Sequence, residues 1–232
     1  MPNHIQNKLT VAGNGYKDVL KSIKGTEKRT DDDSYSAIDF NKIIPMPKEL
    51  HITAGGRIEN MIKNTLKMPN HSNPLIAMLE TLNREKTESP LDLTEQEWKE
   101  FIQGLNNVRQ YGVISWYGWA NQNWSTKWNA YQTPDNRDTK DTIHFQTAWA
   151  CPFPIIVKLS EMFPQNEFII QWADENTGSN SGLATFKNGE QIKGGYFDNS
   201  SKEAYENAFE LNPENKEYYK LVNGKYEYVD ED

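Results

Sequence analysis

An α+β fold is predicted by two successions of alternating strand, amphipathic helix and alternating strand, at 4–44 and 142–174, with helical patterns between them. Two such units whose crossover helices pack together describe a ferredoxin-like antiparallel sheet with helices on one face and a helical insertion. The reading divides the chain into an N-terminal strand–helix–strand part of the core (1–47), a helical insertion (48–111), a C-terminal ferredoxin-like part (112–199) and an acidic helix and hairpin extension (200–232).

In the first part, Ile5, Leu9 and Val11 share one parity and His4, Gln6, Lys8 and Thr10 the other, the pattern of a half-buried strand. Tyr16, Val19, Leu20 and Ile23 follow at helical spacing, with Gly25 as the stop. A polar loop leads to a second strand pattern, Ile38 to Ile44, which Pro45 and Pro47 end. The insertion carries three helical patterns: Ile58, Met61, Ile62 and Leu66; then Leu75, Met78, Leu79 and Leu82; then Trp98, Phe101, Ile102, Leu105 and Val108. Thr94 and Glu97 form a capping box before the last of these, and Gly112 closes it.

From Val113 the residues turn strand-like again and enter a tryptophan-dense run. Thr142 to Trp149 alternates with Ile143, Phe145 and Trp149 on the apolar parity. Pro152 and Pro154 open a helix that Pro164 ends, and Glu167 to Asp174 is the next strand. Asn188-Gly189 and Asn223-Gly224 each supply the two left-handed residues of a type I′ hairpin turn, and between them Ser200 and Glu203 read as a capping box for a helix. The acids around the second hairpin repel one another, so that hairpin is expected to be peripheral.

Mean hydropathy of −0.83 is polar, but 12% of residues are aromatic, which a disordered chain would not carry. The net charge of −8 is uneven: Glu203 to Asp232 holds nine acids against Lys216, Lys220 and Lys225, leaving about −2 for the rest. That balance argues against broad binding to duplex nucleic acid, which needs clustered cations. A lone Cys151 forms no intramolecular disulfide and no all-cysteine metal site. Neither a signal-peptide pattern nor a membrane-length apolar run is present, so the expected location is cytoplasmic, with no membrane partner.

Four of the seven tryptophans lie in the thirteen residues Trp116 to Trp128. Trp124 and Trp128 are four apart and would share a face of a helical turn, with Trp116 and Trp119 on a strand entering it. Such a group either plugs a core joint or forms a stacking platform, and Lys127 between two of the rings is either a surface stem or a placed charge. The sheet parity opposite the core presents Gln6, Lys8, Asn41, His144, Gln146 and Gln171, with Gln6 and Lys8 near His144 and Gln146, a polar patch without the aromatics of an RNA-binding sheet. Trp124, Lys127, Trp128, His144, Gln146 and Gln171 are therefore the candidate ligand-binding residues. His4, His51, His71 and His144 are scattered and Asp31, Asp32 and Asp33 sit in a loop, so neither a metal site nor a cofactor is expected.

Particular motifs support a resemblance: Met1-Pro2-Asn3 with Asn7, Leu9 and Gly13; the run Phe40 to Pro47; Asn123 to Ala130; and Thr147 to Pro152. With these the chain resembles the YubB-like family of bacterial plasmid- and phage-borne proteins, departing from it at His4-Ile5, where members commonly carry Trp-Cys, and at Ser125, where they carry glycine. The resemblance implies an α+β protein of mobile-element origin whose ferredoxin-like part lies mainly in the C-terminal half, and it implies no activity. A single cysteine excludes an iron–sulfur cluster of the usual four thiolates.

Together these features favour a non-enzymatic binding protein that takes a macromolecule or a small polar ligand. Two alternatives stand beside it: a hydrolase-like enzyme using His144 with Asp174 or Glu175, and an acidic decoy whose C-terminal charge mimics nucleic acid toward a host protein.

Overall fold

Strict alternation makes His4–Ala12 a strand, β1, and the computed structural model buries Ile5, Asn7, Leu9 and Val11 on one side of it. Residues 2–25, 37–66, 93–131 and 136–229 are described. After β1 come α1 (Tyr16–Ile23), α2 (Gly56–Thr65), α3 (Glu95–Tyr111), α4 (Trp116–Trp124), β2 (Thr142–Ala148), α5 (Phe153–Met162), β3 (Glu167–Asp174), β4 (Gly182–Lys187), β5 (Glu190–Tyr196), α6 (Lys202–Leu211), β6 (Tyr219–Val222) and β7 (Lys225–Tyr228). The helical pattern Leu75 to Leu82 lies outside the described residues. The chain forms two compact units, residues 1–45 with 123–232, and residues 46–122.

The larger unit holds a five-stranded sheet in the order β2-β1-β3-β4-β5, antiparallel at every step. Its first face carries Leu9 flanked by Ile143 and Ile170, and Phe168 beside Phe186. Helix α5 covers that face, with Phe153 edge-on to Trp172 at 5.0 Å. Asn7 is the one polar side chain of β1 on this side. It stays there because its amide donates to the Thr147 hydroxyl at 2.9 Å and the Ile5 carbonyl at 3.0 Å.

Helix α6 covers the second face, which the sequence left bare. Ser201 caps it by accepting from the Ala204 N–H at 3.1 Å, one residue later than the expected Ser200, which has left-handed φ. Ala208 and Leu211 pack on Ala173, and Asn207 donates to the Trp172 carbonyl and the Ser181 hydroxyl at 2.8 and 2.7 Å. The β6–β7 hairpin turns at Asn223 and Gly224, both left-handed, and lays Tyr219 and Tyr226 against Phe209 at 5.7 and 5.1 Å. It is joined to α6 through a ring cluster and takes no place in the sheet.

Ile38 to Ile44 is not the expected strand. Asp39 accepts from the Asn41 N–H and Asn129 Oδ1 accepts from the Phe40 N–H, so side chains take the donors a ladder would use, and Phe40–Lys42 coils into a 3-10 turn. One strand fewer in the N-terminal part leaves β2 at the sheet edge. That edge is covered: Asp138 accepts from the His144 N–H at 2.7 Å, and Tyr131 pairs with Gln146 in an isolated bridge.

The smaller unit packs Ile58, Met61 and Ile62 of α2 on Phe101 and Ile114. Thr94 and Glu97 form the expected capping box of α3, and Gly112 ends it in left-handed conformation. Residues 116–124, expected to start as strand, form α4 instead; Ala120 and Gln122 favour the helix, and the Asn121 amide closes onto the Tyr117 carbonyl at 2.7 Å.

Within the larger unit, Trp124 at the end of α4 is 2% exposed, lies edge-on to Phe40 at 5.6 Å and donates to the Ile44 carbonyl at 2.9 Å. Ser125 then takes a left-handed φ of 60°, so Trp128 lies beyond the helix and shares no helical face with Trp124. Trp124→Ala should lower the unfolding free energy by about 3–5 kcal/mol, and the half-buried Trp128 replaced by alanine should lose less than about half of that. Urea melts of the two variants check the contrast.

Candidate functional site

Register decides what the second face offers, since β1 sits between β2 and β3 and every even-numbered residue of β1 meets a partner on both sides. Lys8 lies opposite His144 and Gln171, and Gln6 opposite Gln146 and Ala173. The parity argument placed these side chains together, but not in the open.

Under α6 they form a closed network. The Lys8 ammonium donates to Glu210 at 2.6 Å, and the Gln171 amide donates to Glu210 at 2.9 Å and to Asn207 at 3.0 Å. These two donors, Lys8 foremost, hold the Glu210 carboxyl below its ordinary range. His144 is 7% exposed, with Nδ1 2.9 Å from Asp138, so it is not the solvated group its parity suggested. Gln171 thus serves to seat a helix on the sheet, and His144 ties the loop at Asp138 to β2.

Towards the other end of β1 the same face opens into a cleft of about 340 Å³ lined by His4, Gln6, Gln146, Glu175, Asn212, Glu214 and Asn215. Every lining group is polar. The β1–β3 pairing positions Glu175, whose N–H donates to the His4 carbonyl at 2.9 Å. The end of α6 positions Asn212, and the 3-10 turn beginning at Pro213 positions Glu214 and Asn215. His4 Nδ1 lies 2.5 Å from the Tyr131 hydroxyl. Burial, and then the Glu175 charge, push that phenol up to about 12, so it stays protonated at physiological pH.

Gln146 and Asn212 are 8% and 7% exposed, and neither side-chain amide has a hydrogen-bond partner among the described residues. The unpartnered atoms of both amides reach the cavity rather than being sealed from it; among the described residues the sealed, unpartnered side-chain atoms are Asn7 Oδ1 and Trp172 Nε1.

The remaining sequence candidates fall elsewhere. Trp124 belongs to the core and offers no ring face to a ligand. The Lys127 ammonium lies 4.8 Å over the Trp128 ring and 5.3 Å over that of Trp149, a placed charge on two indoles. Trp149 does not continue the covered parity of β2: its φ is 74°, and it is 39% exposed. Asp174, opposite Ile5, points to the first face and accepts from the Asn3 and Asn180 amides and the Asn176 N–H. His144 and Asp174 therefore lie on opposite faces of the sheet. Glu175 shares a face with His144 but is four residues from the rung that holds it, about 13 Å along the strand. The imidazole beside Glu175 is that of His4.

Sequence reasoning missed His4, Tyr131, Asn212, Glu214 and Asn215 as site residues. His4 was within reach, because it shares the parity of Gln6 and Lys8. The others depend on where α6 ends and on the Tyr131–Gln146 bridge, which no local pattern encodes.

The family model described as "Ferredoxin-like domain in Api92-like protein" matches residues 127–213. Those residues contain β2 to β5, α5, α6 and the cleft's Gln146, Glu175 and Asn212. With the five-stranded sheet, the match gives the larger unit a ferredoxin-like α+β fold. The crystal structure of the protein api92 from Yersinia pseudotuberculosis is 10% identical, with a TM-score of 0.34, covering 85% of this chain and 99% of that one. No curated protein matches.

Glu210 yields a pH dependence. Its folded pKa is lowered from 4.5, so its contribution to stability is complete above that value and is lost as pH falls through the folded value. Wild type should unfold at higher denaturant than Glu210→Gln near neutral pH, with the gap closing as the pH falls below the ordinary carboxylate range. Because Glu210 is largely exposed, added salt should narrow the gap at neutral pH as well.

Proposed function

We propose that the chain is a non-enzymatic binding protein that takes a small polar ligand in the cleft between the end of β1 and the end of α6. The observation that carries this reading is that Gln146 and Asn212, both largely buried residues, open their side-chain amides on the cavity without a partner among the described residues. Each can donate and accept, so a ligand with hydroxyl, amide or amino groups would satisfy both. A volume of about 340 Å³ lies at the small end of ligand cavities.

Two alternatives lose support. The hydrolase reading needs His144 beside Asp174 or Glu175, and the sheet separates them by face or by distance. The decoy reading keeps less of its charge free than the sequence suggests, since two of the nine acids from Glu203 to Asp232, Glu206 and Glu210, are matched by Lys202 and Lys8. No helix among the described residues is long and apolar enough to cross a membrane. A cytoplasmic protein of a bacterial plasmid or phage remains our reading of the source, and it rests on the sequence motifs quoted above.

A thermal-shift panel of small polar compounds tests the proposal. At one hundred times its Kd a true ligand should add about 2.7 kcal/mol to the unfolding free energy. Gln146→Leu, folded by circular dichroism, should abolish that gain, and Lys127→Ala should preserve it. A gain of equal size in Gln146→Leu would remove the cleft from the account.

A further inference from the structure

The lining of the cleft is lopsided in charge. Its acidic side chains are Glu175 and Glu214, and no lysine or arginine lines it. Lys8 is bound to Glu210 at 2.6 Å, Lys127 lies over two indole rings and Arg137 donates to the Leu211 carbonyl at 2.6 Å, while Lys216, next to Asn215 in the turn, is not among the lining residues. Both carboxylates are acceptors only, and Gln6, Gln146, Asn212 and Asn215 add carbonyl oxygens. The Asn215 amide nitrogen already donates to Thr177 at 2.9 Å, which leaves its oxygen as the group on offer. Acceptors therefore outnumber donors around the cavity.

Two acids near a cavity would mean little alone. Gln146 and Asn212 supply an independent observation, since each is more than nine-tenths buried, borders the cavity and has no side-chain partner among the described residues. A metal ion is a poor occupant: among the described residues no three His, Cys, Asp or Glu side chains converge closely enough to hold one. An anion would meet two carboxylates with no compensating cation.

We infer that the ligand of the cleft is a small organic cation, an ammonium or guanidinium compound whose N–H groups are shared between the Glu175 and Glu214 carboxylates and the Gln146 and Asn212 amides. The inference rests on the cleft reading above and adds the sign of the ligand's charge. An ammonium brings three donors and a guanidinium five, with no acceptor, which complements a lining rich in acceptors. Tyr131 stays a neutral hydroxyl next to His4 and Glu175, so it adds no competing phenolate beside the cation.

The test is calorimetric titration of the full chain with agmatine and cadaverine, and with pentanediol and glutarate as neutral and anionic counterparts of similar length. Agmatine or cadaverine should bind, and both counterparts should bind at least about tenfold more weakly. Glu175 and Glu214 are exposed, so Glu175→Gln and Glu214→Gln should melt like wild type while each weakens the cation about tenfold. Glutarate or pentanediol binding as tightly as the cations, and losing that binding in Gln146→Leu, would overturn the charge assignment and leave the cleft reading standing. Cation binding untouched by both glutamine variants and by Gln146→Leu would overturn the two together. Failure of both cations to bind, while a neutral compound gives a Gln146-dependent thermal shift, would also overturn the charge assignment alone.

Discussion

The architecture of the larger unit hangs on the register of β1, to which Asn7 adds a polar tie. Its side chain reaches across to Thr147 on β2 from within an otherwise apolar row. A slip of one residue would exchange the rows, bringing Lys8 under α5 and turning Ile5 and Leu9 to the polar face. Burying a lysine without its partner costs far more than the hydrogen bonds of Asn7 supply. Lys8 and the apolar row therefore set the register, and the Asn7 bond to Thr147 adds to it.

From that register the two faces acquire different chemistries. On the first, rings and branched side chains exclude water and tolerate little that is polar. On the second, Gln171, Asn207 and Glu210 hold α6 by directed bonds, with only Ala173, Ala208 and Leu211 as apolar filling. Directed bonds fix the azimuth of a helix more tightly than apolar contact does. That matters here because the end of α6 carries Asn212 to the cavity, and the turn after it carries Glu214 and Asn215.

Much of the fold was legible because periodicity is local. The alternation of β1, the proline-bounded α5, the Thr94–Glu97 box and both Asn-Gly turns all appear where their residues put them. The failures share a cause in distant side chains or in context. Phe40 lost its strand geometry to Asn129, a residue 89 positions away. The strand-forming look of Val113 to Tyr117 yielded to a helix that its own asparagine helps to close. At the site, parity grouped Gln6, Lys8, His144, Gln146 and Gln171 correctly on one face. It could not say that α6 would cover three of them and leave Gln6 and Gln146 at an opening, because that depends on where a helix from the C-terminal part stops.

Placing β1 between two strands that come much later in the chain also shapes how the protein is made. β1 is synthesised first, yet both of its neighbours lie beyond residue 141. At about 5–20 residues per second, roughly 7–30 s of translation separate it from its first partner. Throughout that interval a strand with an apolar face and two open edges is exposed to other nascent chains. Its polar residues, Gln6, Lys8 and Thr10 on one side and Asn7 within the apolar row, make it a poor template for pairing with a copy of itself. The same residues that later seat a helix and border a cavity thus protect the chain on the ribosome.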